Sequence, residues 1–127
     1  EINEGEIWEA AATASHYHLD HLVAFTDVNG LQNDAETKKV KDMLDIAAKW
    51  RAFGWNTLEI NGHDFEEIFD ALDMARKCKD RPTAIISHTI KGKGVSFMEN
   101  VVAFHGKTPT KEEYENGMKE LKEALQA

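Results

Sequence analysis

The sequence has 127 residues, which suffices for one domain with its own core and is too short for two ordinary domains. Hydrophobic residues make up 42% of the chain and charged residues 30%, as in folded rather than disordered proteins. The net charge of −8 argues against a nucleic-acid partner, and no apolar run approaches the roughly 18 residues of a membrane span. The single cysteine, Cys78, cannot form an internal disulfide, so we expect a reducing, cytoplasmic setting.

Helical and strand patterns alternate along the chain. Small apolar residues at helical spacing predict a helix over residues 4–18, and the apolar run Leu22–Thr26 predicts a strand buried on both faces. A second helix is predicted over residues 41–53, where Gly54 is a natural stop. The residues expected on one face of that helix are Leu44, Ala47, Ala48 and Arg51.

The pattern repeats in the second half of the chain. Trp55–Ile60 is the next predicted strand, and Asp64 is placed to cap a helix that runs to Cys78. Thr83–Ser87 is a third buried strand, and a charged helix over residues 110–125 follows a long loop. The residues expected on the inner face of the helix after Asp64 are Phe65, Ile68, Leu72 and Ala75.

Short apolar strands that alternate with helices predict an α/β fold with a parallel sheet covered by helices. Ligands of such sheets bind at the carboxyl ends of the strands. We therefore expect the functional residues in the loops after Thr26 and after Ser87.

The segment Asp27-Val-Asn-Gly-Leu-Gln32 follows a predicted strand end and has two interpretations. It is a turn in which Asn29 or Gly30 adopts a positive φ, or it supplies an amide oxygen and a main-chain carbonyl to Mg²⁺. The spacing by itself favours the turn.

Two features of the long loop allow similar alternatives. The glycines of Lys91-Gly-Lys-Gly94 permit close backbone approach, and the lysines are suited to phosphate, but the spacing is not that of a nucleotide-triphosphatase loop. His105 is a structural or solvated histidine, or it binds a phosphate or a developing oxyanion. His16, His18 and His21 lie near a helix end without a carboxylate at ligand spacing, which favours an ordinary helix terminus over a metal site.

Together these segments resemble the transketolase family over essentially the whole chain. Residues 1–10 are similar to the segment that follows Gly-Asp-Gly in the thiamine diphosphate motif, and residues 27–32 resemble the end of that motif. Further similar stretches are Arg51-Ala-Phe-Gly-Trp55, Asn61-Gly-His-Asp64, residues 89–100 and Phe104-His-Gly-Lys107. The resemblance is strongest to the amino-terminal subunit of split transketolases, so it implies the diphosphate-binding fold and a single partial domain over residues 1–127.

The resemblance implies roles for particular residues. Asn29 and the main-chain carbonyl of Leu31 match ligands of Mg²⁺, which bridges the protein and thiamine diphosphate. His105 matches a histidine that contacts the diphosphate and the sugar substrate, and Ile90 matches a residue that packs on the cofactor. Glu4 matches a glutamate at the dimer interface that helps to link two cofactor sites.

The resemblance also implies an activity and partners. The family transfers a two-carbon ketol unit between sugar phosphates, and it needs a pyrimidine-binding domain or subunit; a homodimer is expected. Glu1 aligns directly after Gly-Asp-Gly, so we expect the fold to be incomplete at its N-terminal side, without the metal-binding aspartate and with an exposed sheet edge. The chain alone is then expected to have little or no activity.

Two other interpretations remain open at this stage. The chain is a non-catalytic transketolase fragment that acts as a dimerisation or interaction module, or it is part of an enzyme similar to deoxyxylulose-phosphate synthases. The latter share part of the Lys-Gly-Lys-Gly and Phe-His patterns, whereas Val95-Ser-Phe-Met-Glu-Asn100 favours transketolase.

Overall fold

The computed structural model describes residues 1–126, which form two compact units. The first unit contains residues 1–28 and 41–89, and the second contains residues 29–40 and the chain after Thr89. That the chain is a single partial domain stays a prediction. The elements in chain order are α1 (Gly5–His16), β1 (Val23–Val28), α2 (Thr37–Lys41), α3 (Ile46–Ala52), β2 (Asn56–Asn61), α4 (Phe65–Lys77), β3 (Thr83–His88), a 3-10 helix (Val102–His105) and α5 (Lys111–Ala124).

The three strands form a parallel sheet in the order β1-β3-β2. Thr83, the first residue of β3, lies opposite Val23 on one side and Asn56 on the other. The carboxyl ends of all three strands therefore lie at the same edge of the sheet. The parallel α/β fold predicted from the sequence is confirmed.

The face of the sheet toward α1 and α3 carries a core of small aliphatic side chains and tryptophans. The indole N–H of Trp55 donates to the Ala11 carbonyl at 2.9 Å, and that of Trp50 donates to the Thr26 hydroxyl at 3.1 Å. Both tryptophans are buried. The indoles therefore fill the core while each polar N–H keeps a partner, which avoids the cost of an unpaired buried donor.

The opposite face is covered by α4, whose partly buried Ile68 and Leu72 pack with Ile60 and Ile85 of the sheet. Asp64 caps this helix as the sequence predicts, since its carboxylate accepts from the N–H groups of Glu66 and Glu67. The prediction that Phe65 points inward is wrong, because its side chain is 74% exposed.

Strand β1 lies at the edge of the sheet, and the prediction that it is buried on both faces is wrong. Thr26 is buried against Trp50, but Phe25, on the opposite face, is 51% exposed. Among the described residues, α4 packs against β2 and leaves this part of β1 uncovered.

The helix predicted over residues 41–53 begins later, at Ile46, and a short helix, α2, precedes it. Leu44 has a φ of +52° and is 78% exposed, so it does not share the inner face with Ala47. Ala48 and Arg51 are also exposed, and the second buried residue of α3 is Trp50. No helix within residues 1–126 has the length and apolar character needed to cross a lipid bilayer.

Candidate functional site

Asn29 lies directly after β1, where the sequence predicts either a turn or a metal ligand. Its side-chain Oδ1 accepts a hydrogen bond from the Leu31 N–H at 2.9 Å, and Gly30 between them has a φ of +76°. This is an Asx turn, so the predicted turn is confirmed. A carbonyl oxygen has two lone pairs, and this hydrogen bond leaves one of them available to a cation.

The Leu31 carbonyl lies on the same side of this segment as the Asn29 amide. Leu31 forms an antiparallel bridge with Glu36, and the hydrogen bonds that flank the bridge run from Gln32 to Ala35 and from Thr37 to Gly30. In such a pair the N–H and C=O of the bridging residue both point away from its partner. Since Asn29 Oδ1 binds the Leu31 N–H, the two oxygens that the sequence predicts as metal ligands face the same side.

In the first unit, the carboxyl ends of β1 and β3 are joined by polar contacts. The Thr89 hydroxyl donates to the Asp27 carboxylate, and the Thr89 N–H donates to the Val28 carbonyl at 3.2 Å. Gly62, after β2, is packed so closely here that a Cβ would lie 2.5 Å from Cγ2 of Thr89. Sequence reasoning did not single out Asp27 and Thr89 as a pair, although both stand at the ends of apolar runs.

The lysine and glycine loop of the second unit is closed by the protein's own carboxylate. The Gly94 N–H donates to Glu99 Oε1 at 3.0 Å, and the Lys93 ammonium lies 3.8 Å from the same oxygen. Gly92 has a φ of +72°, and a Cβ there would lie 2.7 Å from the Met98 carbonyl oxygen. The glycines therefore serve the fold of the loop, and two of its donors already have an anionic partner.

His105 ends the short 3-10 helix and is exposed. The preceding Phe104 is held between Phe97, with ring centroids 5.8 Å apart, and the Lys107 ammonium, 4.8 Å from its ring. The aromatic residue thus anchors the turn while the imidazole stays accessible. Ile90, partly buried, begins the same segment, and its carbonyl accepts from the Lys93 N–H.

Two carboxylates of α5 fix the loop that carries His105. Hydrogen bonds from the Lys107 side chain and then from the Thr110 N–H lower the pKa of Glu113 below its ordinary value of 4.5. The N–H and hydroxyl of Ser96 lower the pKa of Glu120 in the same way. Both carboxylates stay ionised at neutral pH because their charged forms accept these hydrogen bonds.

Glu4 lies in the first unit, at the N-cap of α1, and is exposed. Its side chain makes no capping hydrogen bond to the helix. That Glu4 lies at a dimer interface stays a prediction.

Two histidines near the end of α1 contact neighbouring groups of the chain. His18 Nδ1 lies 2.9 Å from the Asp80 carbonyl oxygen, and His21 pairs with Asp20 at 3.5 Å. Within residues 1–126 no three side chains of histidine, cysteine, aspartate or glutamate converge as metal ligands.

The family follows from comparison with known proteins. Residues 1–125 match the family model described as transketolase, thiamine diphosphate binding domain. The chain belongs to this transketolase family.

Two curated relatives of the transketolase family are subunits of such enzymes. The chain is 43% identical over 121 residues to the 6-deoxy-6-sulfo-D-fructose transketolase subunit SqwG of Clostridium sp. (strain MSTE9), covering 95% of the chain and 44% of the relative. It is 42% identical over 129 residues to an apulose-4-phosphate transketolase subunit of Phocaeicola vulgatus, covering 99% and 45%. The chain thus spans less than half of the length of these relatives.

A solved transketolase shares the fold. The transketolase of Pichia stipitis in complex with sedoheptulose 7-phosphate superposes with a TM-score of 0.83 at 28% identity. The match covers 90% of this chain and 17% of that one. Fold and family therefore agree between the sequence comparison and the structural comparison.

The residues present fit a Mg²⁺-bridged diphosphate in part. The oxygens of Asn29 and Leu31 are hard, neutral ligands that face the same side, as Mg²⁺ coordination by protein and phosphate oxygens requires. Asn29, Leu31, Ile90 and His105 all belong to the second unit, and Glu4 belongs to the first. The structure brings Asn29 and Leu31 into direct contact.

Proposed function

We propose that the chain supplies part of the diphosphate-binding half of a transketolase. Such an enzyme transfers a two-carbon ketol unit between sugar phosphates with thiamine diphosphate and Mg²⁺. The remainder of the catalytic unit, including a pyrimidine-binding domain or subunit, is provided by other residues or chains. The chain alone is proposed to be inactive or only weakly active.

One observation carries the proposal: the Asx turn after β1 places the Asn29 amide oxygen and the Leu31 carbonyl on one side of the segment. The family match over residues 1–125 supports the cofactor, and two relatives named as subunits support a partner chain. The low activity proposed for the chain alone is supported by the short share of those relatives that it matches.

In the mechanism that we propose, this chain's residues hold and orient the reactants. Asn29 and the Leu31 carbonyl would hold Mg²⁺, whose positive charge would offset the repulsion between the diphosphate and a protein of charge −8. His105 hydrogen-bonds the diphosphate and the sugar, and Ile90 packs against the cofactor. When bound, thiamine diphosphate supplies the nucleophilic carbon and electron sink that cleavage beside a ketone needs.

Calorimetric titration of thiamine diphosphate, with Mg²⁺ and then with a chelator, tests the proposal. We expect binding that depends on Mg²⁺, and Asn29→Ala should weaken it by about tenfold or more. Asn29→Asp keeps an oxygen at the same position and should bind at least as tightly as wild type.

Asn33, an exposed asparagine of the same loop, provides the matched control. Asn33→Ala should leave the titration unchanged. Equal binding by the wild type and Asn29→Ala would contradict the assignment of the metal ligand. No binding by any of the variants would favour the alternative of a non-catalytic interaction module.

The related alternative, an enzyme similar to deoxyxylulose-phosphate synthases, has less support. The matched family and the two relatives described above are named as transketolases or transketolase subunits. We therefore propose the transketolase reaction, with sugar phosphates as substrates.

A further inference from the structure

The dipeptide Asn-Gly occurs three times in the sequence, beginning at Asn29, Asn61 and Asn116. In this dipeptide the main-chain nitrogen of glycine can attack the side-chain carbonyl carbon of asparagine, because glycine has no side chain that blocks the approach. The three pairs share this chemistry, but the structure gives each of them a different backbone environment.

The amide of the first pair is held in a position that favours this attack. Asn29 Oδ1 accepts a hydrogen bond from the Leu31 N–H at 2.9 Å, which turns the side chain toward the main chain that follows it. Attack at the amide carbon places negative charge on this same oxygen. The Leu31 N–H is therefore a donor at the atom where charge develops, as in an oxyanion hole.

The glycine of the first pair lies in open space. Gly30 is exposed, and a Cβ at this position would meet no atom within 4 Å. Its carbonyl accepts from the Thr37 N–H, but within residues 1–126 its own N–H donates no hydrogen bond. Water can therefore take the proton from this nitrogen, and the nitrogen can approach the Asn29 amide without breaking a hydrogen bond of its own.

The second pair has the same turn, but its glycine nitrogen is engaged. Asn61 Oδ1 accepts from the His63 N–H at 3.1 Å, and the Gly62 N–H donates to the His88 carbonyl at 2.9 Å. A Cβ on Gly62 would lie 2.5 Å from Cγ2 of Thr89, so this glycine is closely packed. Attack at Asn61 would first require this hydrogen bond to break.

The third pair lies inside α5, where the main chain is helical. Gly117 is buried, and its N–H takes part in the hydrogen bonds of the helix. The ring that would join this nitrogen to the Asn116 side chain therefore forms only where the helix unwinds.

We propose that Asn29 is a site of spontaneous deamidation and that the fold protects Asn61 and Asn116. The Gly30 nitrogen gives its proton to water and bonds to Cγ of Asn29. The bond from Cγ to the amide nitrogen breaks, and ammonia leaves with a proton that replaces the one lost by Gly30. Water then opens the succinimide ring at either carbonyl, which yields aspartate or isoaspartate. Amide and water thus become acid and ammonia, with no oxidant or reductant.

The two products leave different groups at the turn. Aspartate keeps an oxygen at the position of Asn29 Oδ1 and adds a negative charge, which suits Mg²⁺. Isoaspartate carries the main chain through Cγ, lengthens it by one methylene group and removes the Asx turn. The consequence for the metal rests on the proposed function, whereas the deamidation itself does not.

The test incubates the full chain in H₂¹⁸O at mildly alkaline pH and follows each pair by peptide mapping with mass spectrometry. Exchange of –NH₂ for –OH raises the peptide mass, and ¹⁸O marks deamidation that preceded digestion in ordinary water. The Asn29 peptide should react about tenfold faster or more than those of Asn61 and Asn116, each of which must first break a backbone hydrogen bond. Equal rates at the three pairs, or a slower rate at Asn29, would overturn the proposal.

The chain unfolded in guanidinium chloride is the control for the sequence around each pair. The three peptides should then react at similar rates, because the hydrogen bonds of the fold are gone. The same preference for Asn29 in the unfolded chain would assign the selectivity to the sequence and contradict the proposal. In the folded chain both aspartate and isoaspartate should form at residue 29, and aspartate alone would refute the attack by Gly30.

Titration of thiamine diphosphate with Mg²⁺ into the separated products reports on the metal. The aspartate form should bind at least as tightly as the unreacted chain, and the isoaspartate form about tenfold more weakly. Equal binding by the isoaspartate form would refute the consequence for the metal. Deamidation at Asn29 without cofactor binding by any form would overturn the proposed function alone, and cofactor binding by a chain whose Asn29 does not react would overturn only the present inference.

Discussion

At the scale of single residues, glycine determines whether the loop after β3 can close. Gly92 combines a φ of +72° with backbone atoms of Met98 within 2.8 Å of where a Cβ would lie. Such a position excludes other residues for two reasons, the left-handed backbone and the lack of space. The repeated glycines of this loop, which in the sequence allow a phosphate-binding interpretation, are explained at this position by packing.

We predict that Gly92→Ala lowers the free energy of unfolding by about 2–4 kcal/mol, from the sum of backbone strain and overpacking. Urea unfolding followed by circular dichroism measures the change. Gly106→Ala is the control, because a Cβ at this position would meet no atom within 4 Å and the φ of Gly106 is negative. A loss of similar size in both variants would show that the contact with Met98 is not the cause.

Two aspartates before α3 explain why the start of this helix could not be located from the spacing of apolar residues. Leu44 fits the helical pattern, but its N–H donates to the Asp42 carboxylate at 2.9 Å, and Asp45 caps the helix by accepting from Ala48 at 2.7 Å. The hydrogen bonds that these aspartate side chains accept from nearby backbone N–H groups compete with helical hydrogen bonds, so the helix begins only after Asp45. Both aspartates are visible in the sequence, but the spacing of the apolar residues favoured a helix that begins earlier.

At the scale of elements, α5 is held at its start by a capping box. The Thr110 hydroxyl accepts from the Glu113 N–H, and the Glu113 carboxylate accepts from the Thr110 N–H. The lowered pKa of Glu113 means that its stabilisation is fully present above its ordinary value of 4.5 and is lost as the pH falls through the lower folded value.

We therefore predict that part of the acid destabilisation of the chain disappears in Glu113→Gln. Glutamine keeps the hydrogen bond of the capping box and has no charge to titrate. Urea unfolding between pH 7 and about pH 3 should give a flatter profile for the variant than for wild type. Glu112→Gln, also in the first turn, is the control; an identical acid response of Glu113→Gln and wild type would contradict the role of Glu113.

Strand β1 shows how an element can be predicted while its surroundings are not. The apolar run after Leu22 correctly indicates a strand. A similar apolar run forms β3, but β3 is buried at every residue except His88, whereas β1 is not. The difference arises because β3 is the central strand and has packed side chains on both faces, whereas β1 lies at the edge, where α4 leaves Phe25 uncovered. Strand order depends on tertiary pairing, which a local pattern does not contain.

At the scale of the whole molecule, the expected homodimer is tested through Glu4. Its exposed side chain makes no capping hydrogen bond, so its removal takes no cap away from α1. We predict that Glu4→Ala weakens dimerisation about fivefold to tenfold, the effect of losing one interface contact of moderate strength.

Sedimentation velocity over a range of protein concentrations measures the association. Glu9→Ala, an exposed position on the same helix, should associate like wild type. Unchanged association of Glu4→Ala would contradict a contribution of this residue to dimerisation. The homodimer and the cytoplasmic location both stay predictions until such measurements are made.

The family, the three strands, every α-helix except α2, and the turn at Asn29 and Gly30 could be predicted from the amino-acid sequence. These properties depend on residues close together in the chain, such as apolar runs, caps and turn residues. The tertiary structure decided the order of the strands, the exposure of Phe25 and Phe65, and the contact of Glu59 with His88. Glu59 and His88 lie on different strands, and only the pairing of β2 with β3 brings them together. Local patterns in the sequence indicate where each strand ends. They do not indicate which strands pair, because sheet pairing joins residues that are far apart in the chain.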